Sequence, residues 1–509
     1  MSALDEVVRL LGELSLADDP KKYLSDLRTL MASLDPNQQL KLLRGAELNI
    51  LFDSLNSSDG EQVELCVDVL NYLLPLISSQ EAVERFGDQL LRGLAHPNEN
   101  VRHLAIKQVL QCAESENGMV TLITQHSLLL AVINSLGDSS QSIVKLAVNT
   151  LVALCGQQTG LNAVFSNECI TNLQNIMTKS DSARFNVYEC IVKISLLGDM
   201  ALGMVSNSGL LDRLTAEVTT GDVLTQLNAL ELLIPLAQSP SGMKHLLEGG
   251  VISKLQYLLS LAEADPMAAM LMPGLVKFFG NMGQCRPQQM VDEFSSVMLM
   301  ILRLASGTMD LGDPILQIVA IETVAHIGAT AEGKSALGKF KTEMDEVLDM
   351  LGTKIRMAPS DQRVRVLDAL SQLFFLNLED HTEELLQLLE LWWAGVGGVS
   401  LEKVIAVARQ PFMDLHCTAL ELLNSLASMP WGQRLIFTEP GLIEYILDRS
   451  TESVKEGMEA KWNIVGTLVK SHTSAFPYPE GYVGKLTKYY NEGPFFVEAC
   501  MEVAVEGEQ

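Results

Sequence analysis

The chain predicts an all-α fold, an armadillo/HEAT-like repeat solenoid wound as a superhelix. Three observations carry this: helical apolar spacing that recurs at an interval near forty residues, a small residue at one fixed position of each recurrence, and a glycine-closed polar turn after it. No strand pattern competes.

The spacing is clearest in NVRHLAIKQVLQC, where Val101, Ala105, Val109 and Cys112 fall on one helical face. It returns at Ile143, Ala147, Leu151 and Leu154, and again at Leu316, Ala320, Val324 and Ile327. Aligning the second position of each helix gives a column: Cys66, Ala105, Ala147, Val187, Ala229, Gly274, Ala320, Ala369 and Ala419, at intervals of 39 to 50 residues. Leu27 and Ile464 extend it to both ends. Small side chains belong there because a neighbouring helix must approach closely. The pattern predicts ten or eleven units over residues 1–470, followed by a loop, a capping segment and a tail over 471–509.

After each long helix comes a turn such as ESENG, GQQTG, QSPSG, TAEG or SMPWG. Its glycine is expected to take the left-handed conformation of a helix end. Four residues later stands an apolar residue (Leu122, Val164, Leu246, Leu337, Ile436), and then a second helix such as VISKLQYLL or LIEYILD. The Pro and Asn of HPNEN end one helix and start that of Val101. Longer loops are expected between Met357 and Gln362 and around SHTSAFPYPEGY from Ser471.

Composition narrows the function classes. Of 509 residues, 63 are acidic and 36 basic, a net charge of −27. Such a chain is a poor partner for nucleic acid or an anionic membrane, both of which require clustered basic residues. The eight cysteines show no C-x-x-C and no pairing framework, as expected of reduced, mostly buried thiols in the cytosol or nucleus. The opening MSALDEVVRLLGELS carries acidic residues where a signal peptide has basic ones and reads as a retained amphipathic helix. LLQLLELWWAGVGGVSL is interrupted by Glu390 and glycines, too early to span a bilayer.

GATAEGKS matches the phosphate-loop template at Gly328, Gly333, Lys334 and Ser335. A working phosphate loop follows a buried strand, whereas ILQIVAIETVAHI before it has helical spacing, and Glu332 places negative charge among the amides. The match is read as a fortuitous inter-helix turn. GVGGVS at Gly395 lacks the third glycine of a dinucleotide fingerprint and follows a helical pattern. There is no H-E-x-x-H, and the adjacent His416 and Cys417 are read as a buried structural pair. No catalytic residue, cofactor or metal is expected.

Two positions after each column residue, about 200° round the helix, stand Asp68, Lys107, Asn149, Glu189, Glu231, Glu322, Ser371 and Glu421. Stacking turns them into a stripe, either an acidic groove for a basic partner or an ordinary solvated face. In MPGLVKFFGNMG, Pro273 is expected to kink or restart its helix. Phe278 and Phe279 are not both expected to face the core, so one packs against the next unit or stands exposed as an anchor.

MPGLVKFFGNM, QPFMDLHCTAL, PWGQRLIFTEPGLIEYILDRSTE and YYNEGPFFVEACMEVAVEGEQ resemble the 26S proteasome non-ATPase regulatory subunit 5 family, and the resemblance runs along the whole chain. It implies a non-catalytic chaperone for assembly of the regulatory particle base. Such a protein would bind the carboxy-terminal domain of one AAA-ATPase subunit, with a second ATPase and a scaffold subunit as further partners, and leave before the proteasome is complete. The family supplies no short motif of binding residues. Other solenoid adaptors for basic surfaces, and a nucleotide-dependent enzyme, are the competing readings. A repeat array of this length needs no second copy to fold.

Overall fold

The computed structural model describes residues 3–14, 20–33, 48–309, 311–471 and 476–496. These form helices joined by short turns, with no strand among the described residues. They divide into two compact units, residues 1–220 with 239–245 and residues 221–238 with 246–509.

In the first unit, five helices stack in succession: α1 (Pro20–Ser33), α2 (Gly60–Leu73), α3 (Glu99–Ala113), α4 (Gln141–Cys155) and α5 (Asp181–Ser195). Polar side chains start them. Asp59 accepts from the amides of Glu61 and Gln62, Asn98 from Asn100, and Ser180 from Ala183. These bonds satisfy amides that the helix leaves without partners. The amphipathic helix Ala3–Leu14 packs on α1 through buried Val7, Leu10 and Leu11. In the second unit the stack consists of α6 (Val223–Gln238), α7 (Pro266–Cys285), α8 (Pro314–Ile327), α9 (Ser360–Phe374), α10 (Met413–Ala427) and α11 (Lys455–Lys470). Its helices run parallel, because equivalent ends meet: Gln238 bonds Asn281 at 3.1 Å, and Thr467 bonds Asn424 at 2.6 Å.

The column is the buried seam of both stacks. Leu27, Cys66, Ala105, Ala147, Val187, Ala229, Ala320, Ala369, Ala419 and Ile464 are all buried. Gly274 is half-buried, and a Cβ there would meet Leu227 at 2.6 Å. The apolar residue after each turn glycine, from Leu122 to Ile436, is also buried.

Three local expectations are corrected. The turn glycines Gly118, Gly160, Gly333 and Gly432 do not adopt positive φ. They lie in the first turn of the following helix, pressed on the end of the preceding one. A methyl group added there would overlap the carbonyl oxygen of Cys112, Leu154, Ile327 or Leu426 respectively. Close approach, rather than left-handed backbone, selects glycine. Ser115 and Thr330 cap these turns by accepting from Gly118 and Gly333. Secondly, no long loop separates Met357 from Gln362, since the helix Lys341–Met357 and α9 are two residues apart. Thirdly, Pro273 does not restart its helix: α7 is one helix from Pro266 to Cys285 with the proline inside. A proline removes only one main-chain bond, and packing on α6 and α8 holds the rest.

Candidate interaction surface

The stripe residues project from the stacked helices away from the seam. In the first unit Lys107 and Asn149 are exposed and Asp68 and Glu189 half-buried; in the second Glu231 and Glu421 are exposed and Glu322 and Ser371 half-buried. Three of the acids are already paired: Asp68 with Arg28 at 3.2 Å, Glu189 with Lys193 at 2.7 Å, and Glu322 with Arg365 in a two-pronged bond at 2.5 and 2.7 Å. Ser371 turns its hydroxyl back on Leu367. Taken residue by residue, then, the stripe is less negative than its composition.

In the second unit α8, α9 and α10 bring three outward carboxylates, Glu322, Asp368 and Glu421, within electrostatic reach of one another. Asp368, on α9, projects between the rows of its neighbours. Burial and the charge of Glu322 hold its carboxyl above the usual carboxylate range. Burial and Asp368 do the same to Glu421 on α10. The three carboxylates form a ladder with Arg365 at one end. Glu322 and Asp368, with Arg365 and Lys277, line a groove of about 330 Å³ that also touches Asn281, Thr323, His326 and Gln372. Asp368 was missed in the sequence because it sits one residue before the column rather than two after. In the first unit a groove of about 750 Å³ over α1, α2 and α3 has mixed charge, with Lys22, Arg28 and His103 facing Glu64 and Asp68.

Phe278 and Phe279 both lie in the core, against expectation, each with no exposed surface. Their rings meet edge to face at 5.5 Å. α7 is flanked by α6 and α8 and packed by the helices Val251–Ser260 and Pro287–Asp292, so apolar surroundings cover more than one of its sides. Neither ring can anchor a partner.

The phosphate-loop match has no space for a phosphate. Thr330 caps the helix Ala331–Leu337, the preceding segment is α8, and the Lys334 side chain is fully buried. Its ammonium donates to the Gly328 carbonyl at 2.5 Å and is held by burial at a pKa of about 8. GVGGVS follows a helix ending at Gly395, and its Gly397 backbone lies against Gly352.

His416 and Cys417 point apart, and His416 belongs to a different cluster. Its Nε2 meets Glu452 at 2.9 Å, and its Nδ1 donates to the Ala408 carbonyl. Glu452 also pairs at 3.1 Å with the fully buried Lys461, which donates to the Tyr445 carbonyl at 2.7 Å. The cluster is buried and its charges are paired internally, which fits a structural role. Burial pushes the thiols of Cys66, Cys112 and Cys190 up to about 12, so they are poor nucleophiles; Cys500 lies outside the described residues. Among the described residues no group of His, Cys, Asp or Glu is arranged to hold a metal ion, and no single helix is long and apolar enough to cross a membrane.

Two solved structures share the fold. Yeast importin-beta (Kap95p) aligns with a TM-score of 0.53 at 11% identity, over 96% of this chain and 65% of its own. Kap121p bound to Pho4p aligns with a TM-score of 0.52 at 12% identity, over 96% and 51%. At such identity the likeness concerns architecture alone. Sequence relatives are much nearer. The 26S proteasome non-ATPase regulatory subunit 5 of Bos taurus is 32% identical over 503 residues, 99% of both chains. That of Homo sapiens is 31% identical over the same span. The Drosophila melanogaster protein is 24% identical over 88% of this chain and 86% of its own. A family model described as proteasome non-ATPase 26S subunit matches residues 4–509. With the helical stack, the buried column and this full-length correspondence in agreement, the chain belongs to the proteasome non-ATPase 26S subunit family.

Proposed function

We propose that this protein is a non-catalytic assembly chaperone of the 26S proteasome regulatory particle base. It binds the carboxy-terminal domain of one AAA-ATPase subunit in the cytosol and is released before the mature particle forms. The observation that carries this reading is the match to named 26S proteasome regulatory subunits over essentially the whole chain. Broad polar grooves on the stacked helices suit holding a folded domain. In the second unit the stripe residues Glu322 and Glu421, with Asp368 between them, are the carboxylates offered to a basic partner surface. A second ATPase and a scaffold subunit would extend the contact. Assembly contacts that compete for the same ATPase surface would then displace the chaperone.

Affinity capture of the full chain from cell extract tests the reading. Proteasomal ATPase subunits are expected without the proteolytic core, and their consistent absence under gentle conditions would sink it. Reversing charge at Glu322, Asp368 and Glu421 together is expected to reduce capture at least tenfold with the helical circular dichroism unchanged. Unaltered capture would return the ladder to ordinary solvated surface.

A further inference from the structure

The second unit carries a row of exposed apolar side chains where its stacked helices begin. Leu224, Met267 and Ile315 stand in the first turns of α6, α7 and α8; Phe412 and Val454 immediately precede α10 and α11; and Met357 lies three residues before α9. Each is between 38% and 80% exposed. Single exposed apolar residues need no explanation, but one at the same end of six consecutive parallel helices does.

Helix starts favour polar residues, because amides without partners and the positive end of the helix dipole face outward there. The first unit obeys this. Two residues after the caps Asp59, Asn98, Ser140 and Ser180 come Glu61, Asn100, Ser142 and Ser182, all exposed. The second unit departs from it in an orderly way. At α6, α7 and α8 an aspartate (Asp222, Asp265, Asp313) accepts from the first-turn amides, and the apolar residue follows two positions later. At α10 and α11 the order reverses: Phe412 and Val454 occupy the cap, and Asp414 and Glu456 follow two positions later. At α9 the acid is Asp361, two after the cap Pro359. Every step of the row therefore pairs one exposed apolar group with one exposed carboxylate.

We infer that this rim is a docking surface for a long amphipathic helix of a protein partner, with basic residues beside its apolar stripe. Packed helices lie ~8–10 Å apart, so six of them present an apolar group at about that interval. A helix rises ~1.5 Å per residue and returns the same face after seven residues, or ~10.5 Å. A partner helix of about thirty-six residues with an apolar side chain at every seventh position presents six of them, one for each step of the row. Lysine or arginine beside that stripe meets the carboxylate at each step. The same carboxylates disfavour an anionic lipid surface. The rim is made of helix ends and is distinct from the carboxylate ladder, so it stands whether or not the ATPase reading holds.

Binding of labelled synthetic helices to the full chain, measured by fluorescence anisotropy, tests it. The probe has leucine at every seventh position and flanking lysines. One control replaces the lysines with glutamates and another scrambles the order. The lysine probe is expected to bind at least tenfold more tightly than either control, with affinity falling as salt rises. Leu224→Ser/Ile315→Ser/Phe412→Ser is expected to weaken it at least tenfold while circular dichroism and the unfolding midpoint stay unchanged. Asp313→Asn/Asp361→Asn/Asp414→Asn is expected to weaken it severalfold and to flatten the salt dependence, since asparagine still caps a helix. Equal binding by the triple-serine variant, or by the glutamate probe, overturns the proposal. So does concentration-dependent dimerisation, or binding to phosphatidylserine vesicles, that the triple-serine variant abolishes, because the rim would then belong to a second copy or to lipid.

Discussion

Lys334 donates through its ammonium to the carbonyl of Gln372, 3.3 Å away at the end of the next stacked helix, as well as to Gly328 at the end of its own. Two repeats on, Gln433 makes the same bridge, from Ala427 at 3.0 Å to Ser471 at 3.1 Å. The residue after the junction glycine thus joins the ends of consecutive stacked helices through carbonyls that have no acceptor role within their own helix.

Burial lowers Lys334 to about 8 from an ordinary value of 10.5. Between those values the unfolded chain binds more protons than the folded one, so the contribution of Lys334 to stability rises with pH across that window. Against Lys334→Met, the difference in unfolding midpoint should therefore shift in favour of the native chain between pH 8 and pH 10. Thermal unfolding of both chains at several pH values measures it, and parallel curves would contradict the assignment.

Gly333→Ala and Gly160→Ala should each destabilise their unit by about 2–3 kcal/mol, because the added methyl overlaps a main-chain carbonyl that cannot move aside. Gly484, in the helix Tyr482–Glu492 with open space around its α carbon, is the control. Its change to alanine should be neutral or stabilise by up to about 1 kcal/mol. Urea unfolding of the three variants separates steric overlap from a generic glycine effect.

Glu452→Gln leaves the fully buried ammonium of Lys461 without its counter-charge and puts a neutral amide where His416 meets a carboxylate. A loss of about 3–5 kcal/mol is expected. Glu452→Gln combined with Lys461→Met should recover part of it, and a double-mutant cycle reads the coupling.

Asp368 and Glu421 repel across α9 and α10, and the folded chain holds both carboxyls above the usual range. The folded state therefore binds their protons more tightly than the unfolded chain does. The penalty is present at neutral pH and disappears as pH falls through the raised values. Both groups are largely open to solvent. Asp368→Asn should accordingly stabilise by only about 0.2–0.5 kcal/mol at low salt and pH 7, with no gain at pH 4.

Much of the fold was legible because the stack imposes one requirement on every unit. Ala105, Ala147 and Ala320 are small where a neighbour presses, and that position is visible without any three-dimensional information. Tertiary context defeated the reading elsewhere. Phe278 and Phe279 cannot share one face of an isolated helix, yet α7 is covered on several sides and takes both. Gly333 was recognised as a turn residue but for the wrong physical reason, since overlap with a carbonyl six residues earlier is invisible to local conformational rules. The stripe positions were found correctly as outward-facing, but Arg28 and Arg365, which neutralise part of it, come from adjacent helices about forty residues away. Asp368 lay at an offset that period counting does not test.

The junction glycines also govern where this chain has been able to change length. Gly118, Gly160, Gly242, Gly333 and Gly432 each fall 13 residues after their column residue, while the units themselves lengthen from 39 to 50 residues along the chain. The carbonyl beneath Gly118, Gly160, Gly333 and Gly432 fixes that segment like a ratchet tooth, so added residues fall beyond it. The added length goes into the second helix of the unit, which grows from 11 residues at Asn167–Met177 to 17 at Lys341–Met357. The second helix can therefore change length while the turn behind each glycine keeps its register.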